Sequence, residues 1–151
     1  MTEMLHTWRA FLDAFNKACD TDEWGPLAPF LTEDVTYRVT GVPFACQIKG
    51  REAVVAGFAK SIRGFDQKFD SRVHEPVAIK VYDPDTVTCG AWGRYEKAGL
   101  PDVRICAQGY WHFSGGKISA MTDLWDVTLI ENQHALAWLA EHGSDMDASY
   151  V

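Results

Sequence analysis

Apolar residues recur at three- and four-residue steps over the first part of the chain and at two-residue steps over much of the second. Leu5, Trp8, Leu12 and Phe15, with Phe11 widening the stripe, predict a helix over 2–19 with Thr2 as its N-cap. A short second helix is expected next, capped by Asp20 or Asp22, with Leu27, Phe30 and Leu31 as its apolar side. Pro26 suits a first turn, whereas Pro29 keeps that helix short or bends it. Residues 34–39 read as a strand with Val35, Tyr37 and Val39 on one face, broken by Thr40-Gly41-Val42-Pro43. Val54, Val55, Phe58 and Ile62 predict a third helix, which Gly64 ends.

Strands are then predicted over 72–81, bulged or broken at Pro76, and over 86–97, 103–114 and 117–130. Asp83-Pro84-Asp85 and Ala98 to Asp102 are turns between them, and Gly115-Gly116 closes the last hairpin. Leu136, Trp138 and Leu139 mark a closing helix over 131–142. The order helix, helix, strand, helix, four antiparallel strands, helix implies an α+β domain. Its strongly curved sheet would wrap the N-terminal helices as a cone and leave an internal pocket. One domain is expected over 1–142, with 143–151 a loose acidic tail.

One carboxylate interrupts this pattern. On the last strand Met121, Asp123, Trp125, Val127 and Leu129 share a face. Asp123 is the one charge in that apolar row. If the row faces inward, Asp123 must find a partner or hold its proton at higher pH, which equips it for acid/base chemistry. If the strand is edge-exposed, Asp123 meets only water. The hairpin register decides its neighbours. A simple turn sets Gln108 opposite, with Cys106 and Tyr110 on the same face; a bulge replaces these with Ile105, Ala107, Gly109 and Trp111. The bulged set is the more apolar and leaves a hollow beside Asp123; the residues alone leave both registers open.

Composition narrows the function. A chain of 151 residues, 47% hydrophobic and 23% charged, can bury a real core. The formal net charge of -7 and the scattered Lys and Arg argue against nucleic acid and anionic membrane partners. Cys19, Cys46, Cys89 and Cys106 form no paired motif, and the five histidines keep no ligand spacing, so neither a metal nor another cofactor is expected. Met1-Thr2-Glu3-Met4 lacks the features of a signal peptide, and a cytoplasmic location is expected.

Three ordered matches carry a family resemblance. Leu31 to Tyr37 looks like a second-helix exit into a first strand. Lys49-Gly50-Arg51-Glu52-Ala53-Val54 looks like a third-helix start, and Gly116-Lys117-Ile118 followed by Asp123-Leu124-Trp125-Asp126 like a last hairpin. Together they resemble the nuclear-transport-factor-2-like superfamily, and within it the SnoaL-like polyketide cyclases and the limonene-epoxide-hydrolase-like group. The resemblance implies Asp123 as general acid or base and Tyr37 as a catalytic tyrosine that helps hold an attacking water or donates a hydrogen bond to a developing oxyanion. It implies a small apolar, ring-containing carbonyl substrate held by Phe58, Trp111, Met121 and Trp125, and a cofactor-independent cyclase, isomerase or dehydratase. Arg94 and Glu96 copy the spacing of the hydrolases' Arg-x-Asp pair and would have to face the cavity for epoxide hydrolysis. A ligand-binding or dimerisation module without catalysis is the alternative. A homodimer is expected through the outer sheet face, where Trp92, Tyr110 or Leu124 would lie.

Overall fold

The computed structural model describes residues 2–151; the Thr2 side chain, expected as an N-cap, lies outside what is described. Helix α1 spans Thr2–Thr21, and a 3₁₀ turn spans Gly25–Phe30. Strands β1 (Leu31–Thr40) and β2 (Cys46–Lys49) precede α2 (Arg51–Gly64). Strands β3 (Ser71–Asp83), β4 (Thr86–Glu96), β5 (Val103–Ser114) and β6 (Lys117–Leu124) lead to α3 (Ile130–His142). The six strands form one unclosed sheet in the order β2-β1-β6-β5-β4-β3. Only β1 and β6 run parallel; every other neighbouring pair is antiparallel. The sheet curves over α1 and α2, giving the expected α+β cone.

The helical stripe of α1 buries Trp8 and Phe11, and β1 buries Val35, Tyr37 and Val39 on its inner face. Trp8 meets Trp111 of β5 edge to face at 5.5 Å, and Phe15 meets Phe58 of α2 at 5.3 Å. Aromatic edges therefore join helices to sheet, an arrangement that adds about 0.5–1.5 kcal/mol per pair beyond area burial. Helix α3 is pinned to β5 by Asn132, which is fully buried. Its Oδ1 accepts from Cys106 N–H, and its Nδ2 donates to the carbonyls of Cys106 and Asp126.

Several local expectations change. The segment after β1 does not simply break: Cys46–Lys49 returns as β2, pairing Tyr37 with Ile48. The two prolines hold residues 25–30 in a 3₁₀ turn. Asp22 does not cap that turn by its side chain; it accepts from Trp24 Nε1 and Arg63 Nε, both at 2.8 Å. Strand β3 runs through Pro76, since an edge strand can spare an N–H. Its register shifts between Val77 and Lys80, where Ala78 takes a φ of 51°, and again between Val81 and Asp83.

Strand β6 stops at Leu124 rather than reaching Ile130. Asp126 Oδ1 accepts from the Thr128 N–H and hydroxyl, and this local turn competes with the ladder. Val127 and Leu129 thus leave the inward row and stand exposed. The tail after His142, expected to be loose, is packed along α2. Asp147 N–H donates to Gly64 O at 2.9 Å, Ser61 Oγ to Ala148 O at 3.0 Å, and Lys60 Nζ to Val151 O at 2.6 Å. Gly57 and Gly64 make room for it, because a Cβ at Gly64 would overlap the Asp147 carbonyl and one at Gly57 would press on Tyr150 O at 3.1 Å.

Candidate active site

Asp123 sits at the centre of a row that crosses the sheet: Val39 of β1, Asp123 of β6, Gly109 of β5, Cys89 of β4. The β5–β6 register shifts between His112 and Phe113, which produces the bulged pairing of Gly109 with Asp123 and Trp111 with Met121. Gln108 stands instead opposite Leu124, and its Nε2 donates to Thr88 Oγ1 at 2.6 Å. The sheet therefore presents a gap beside the carboxylate. A Cβ at Gly109 would overlap the Trp111 ring and lie 3.1 Å from Asp123 Oδ1.

That gap opens into a cavity of about 200 Å³. The six side chains assigned to acid/base chemistry or substrate binding line it: Asp123, Tyr37, Phe58, Trp111, Met121 and Trp125. The exposed lining residues Asn16, Glu75 and Pro76 place its mouth between α1 and the edge strand β3. Arg94 and Glu96 do not line it. They pair with each other at 3.1 Å, 52% and 41% exposed, so they do not meet the condition, facing the cavity, that epoxide hydrolysis sets for them.

Tyr37 Oη donates to Asp123 Oδ2 at 2.7 Å. The Tyr150 hydroxyl, brought by the packed tail, lies 3.3 Å from Tyr37 Oη. The one Tyr37 proton is committed to the carboxylate, so Tyr37 accepts from Tyr150. Asp123 Oδ1 has no hydrogen-bond partner among the described residues. What surface Asp123 keeps belongs to the cavity wall, and the protein around it withholds water from its charge. Burial accordingly pushes its carboxyl up to about 6, against the opposing pull of the Tyr37 hydrogen bond. Both tyrosines are pushed up in turn, by burial first and by the nearby Asp123 charge. Cys89 is held as a neutral thiol, raised to about 12 by burial.

A second polar group on the same wall was not singled out in advance. Arg72 Nε donates to Asp66 Oδ1 at 2.8 Å, and Arg72 Nη2 to His74 Nδ1 at 2.8 Å. A guanidinium only donates, so His74 carries its proton on Nε2 and donates it to Tyr95 Oη at 2.6 Å. Tyr95 completes the ring by donating to Asp66 Oδ1 at 3.1 Å. Burial, with Arg72 beside it, lowers His74 to about 3 and keeps it neutral. The sequence signal for this group is the two-residue step from Arg72 to His74 on a strand; Tyr150 left none. No three His, Cys, Asp or Glu side chains converge as a metal-ligand set among the described residues. No helix among them is long and apolar enough to cross a membrane.

An unclosed curved sheet wrapped on N-terminal helices, with a lined cavity inside, defines the NTF2-like cone. The profile of the SnoaL-like domain matches residues 8–121, and the chain belongs to that family. Solved structures agree in fold. An NTF2-like protein from Anabaena variabilis superposes with a TM-score of 0.66 at 16% identity, over 82% of this chain and 90% of that one. An LEH-like epoxide hydrolase from M. tuberculosis gives 0.61 at 18% identity, over 93% and 97%. A putative polyketide cyclase from Xanthomonas campestris gives 0.51 at 18% identity, over 82% and 93%. No curated protein shows significant sequence similarity to the chain.

Proposed function

We propose that the protein is an enzyme that moves a proton on an apolar, ring-containing carbonyl compound, as a cyclase, isomerase or dehydratase. The observation that carries this reading is the divided carboxylate of Asp123: Oδ2 is held by Tyr37, and Oδ1 is unpartnered in a cavity wall. With a carboxyl titrating at about 6, Asp123 is mostly a base at neutral pH and still a usable acid once protonated.

In the proposed step Oδ1 takes a proton from the carbon beside the carbonyl. The C–H electrons form the enolate, whose negative charge gathers on the carbonyl oxygen. Tyr37, expected in that role, has given its proton to the carboxylate, so Tyr150 is the donor for that oxygen, turning its hydroxyl from the longer 3.3 Å contact with Tyr37 to the substrate. Protonated Asp123 then returns the proton to another carbon or to a departing hydroxyl; in ring closure the enolate carbon attacks an internal carbonyl, whose π electrons move to its oxygen, and that alkoxide takes the proton from Asp123. Size supports a compact substrate: a cavity of roughly 150 Å³ accommodates benzene, and this one is about 200 Å³.

Proton exchange at the carbon beside the carbonyl of 1-tetralone in deuterium oxide, followed by NMR, tests the reading. The wild type should catalyse the exchange, and Asp123→Asn should reduce it by about 10²–10⁴-fold. Exchange retained by a folded Asp123→Asn variant overturns it.

We also infer that two copies associate through the outer sheet face. Trp92 and Val73 are 50% and 40% exposed there, with Leu124 at 38%. Apolar side chains of this size left bare on a sheet favour a self-complementary contact. Light scattering should give the mass of a dimer for the wild type and of a monomer for Trp92→Glu.

A further inference from the structure

The cavity has two polar poles, and the proposed chemistry uses one. The row through Asp123 crosses β4 at Cys89, and the row through Arg72 crosses it at Tyr95. Six residues of extended strand separate these rows, roughly 20 Å along the backbone before curvature brings the side chains together. Between the poles the wall is apolar and aromatic, with Phe58, Phe65 and Trp111 among its residues.

Among the described residues Arg72 is the one Lys or Arg on the wall, and its side chain is 13% exposed. Asp66 holds its Nε, and His74 takes one Nη2 proton. Nη1 meets only Asn16 Oδ1, at 3.5 Å and on the exposed rim. A guanidinium carries more N–H donors than these partners use. The ring around it is closed and neutral overall, with Asp66 balancing Arg72 and His74 uncharged. Spare donors in a charge-balanced setting favour a neutral acceptor oxygen over a carboxylate, which would face Asp66 and lose its own hydration.

We infer that Arg72 forms a second binding subsite, which takes a neutral carbonyl oxygen at the end of the ligand remote from Asp123. The substrate is then a ring compound carrying acceptor oxygens at both ends, one reacting and one anchored. This rests on the cavity being the substrate site, as proposed above. Asp66, His74 and Tyr95 position the guanidinium.

The test compares 6-acetyl-1-tetralone with 6-isopropyl-1-tetralone, which has similar shape but no second oxygen. Both are titrated calorimetrically into the full chain and into the Arg72→Met/Asp66→Asn double variant. The double change removes both charges together, so neither is left buried alone, and circular dichroism checks folding. The preference for the acetyl compound should fall by about tenfold in the double variant. An unchanged preference overturns the subsite. Equal loss of affinity for both ketones also overturns it, since that reports general damage. Absence of saturable binding by either ketone in the wild type overturns it together with the proposed function. Exchange of the ring ketone's proton in deuterium oxide reads Asp123 separately. If Asp123→Asn keeps that exchange while Arg72 still sets the preference, the acid/base reading falls and the subsite stands.

Discussion

Gly109 stands directly opposite Asp123 across the β5–β6 pair, and the Trp111 ring occupies the space that a Gly109 side chain would need. The hollow at the carboxylate and its aromatic wall therefore share one cause, a missing Cβ. Gly109→Ala should force Trp111 away from its edge contact with Trp8 and push a methyl group toward Oδ1. Overpacking of this kind costs about 1–3 kcal/mol. Thermal melting should report that loss, and ketone proton exchange should fall by more than the folded fraction accounts for.

The carboxyl of Asp123 gives a pH dependence whose two parts have opposite sign. As a base it acts only when ionised, so exchange activity should rise with pH through about 6 and then level off. Stability runs the other way. The folded protein holds this proton more tightly than the unfolded chain, so the group's contribution falls as pH rises from the ordinary carboxylate range to about 6. Asn at this position keeps an acceptor for Tyr37 and removes the charge. Asp123→Asn should be more stable than wild type at pH 8, by on the order of 2 kcal/mol, and equal to it near pH 4, while being inactive throughout. Denaturant melts at the two pH values check this.

Tyr37→Phe removes the hydrogen bond that favours the ionised carboxylate. The midpoint of the activity profile should move to higher pH, and Oδ2 should be left unpaired at a cost of about 1–3 kcal/mol. An unmoved midpoint would show that Tyr37 only packs against Phe58, whose ring lies 4.9 Å away.

How far the site was legible depended on which forces set each part of it. Tyr37, Phe58, Met121 and Trp125 follow from period alone, because strand and helix spacings dictate which side chains turn inward. Asp123 stood out as a charge in an apolar row. Trp111 needed the bulged register, which turn geometry leaves open and the packing of Trp111 over Gly109 satisfies. The Asp66–Arg72–His74–Tyr95 ring was hidden because β3–β4 pairing, not sequence proximity, sets Arg72 beside Tyr95. Polarity disguised the tail: Asp145 and Asp147 suggested solvent, yet the small residues Gly57, Ser61 and Gly64 of α2 leave a groove for its backbone. At the end of β6 the apolar Val127 and Leu129 suggested more strand, and the Asp126–Thr128 turn overrode them.

The packed tail brings Tyr150 to the acid/base pair, so it should matter twice. Tyr150→Phe preserves the ring contact with Tyr37 at 5.2 Å and deletes only the hydroxyl. It should lower kcat by about 10–100-fold with little change in KM, as loss of a donor to developing charge does. Removing residues 143–151 should lower stability as well, because the α2 groove and the Tyr37 ring lose their cover. A Tyr150→Phe variant with unchanged kcat would leave the hydroxyl a packing role only.

Asn132 is the polar bolt between α3 and the sheet. It is fully buried and satisfies the N–H and C=O of Cys106 together with the carbonyl of Asp126. Each lost hydrogen bond costs about 0.5–1.5 kcal/mol, and backbone groups left buried without partners cost more. Asn132→Leu has similar volume but no polar atoms, so it isolates this effect from a cavity. It should destabilise the fold by about 3 kcal/mol and free α3 to open. Hydrogen exchange should show faster amide exchange at Cys106 and through residues 130–142. Asp123 and Tyr37 lie on the inner face, so the pH midpoint of activity should stay where it is in the folded fraction. A variant that keeps wild-type stability would mean that α3 is held by Trp138, which stacks on Phe69 at 5.4 Å and donates to Pro101 O, and not by Asn132.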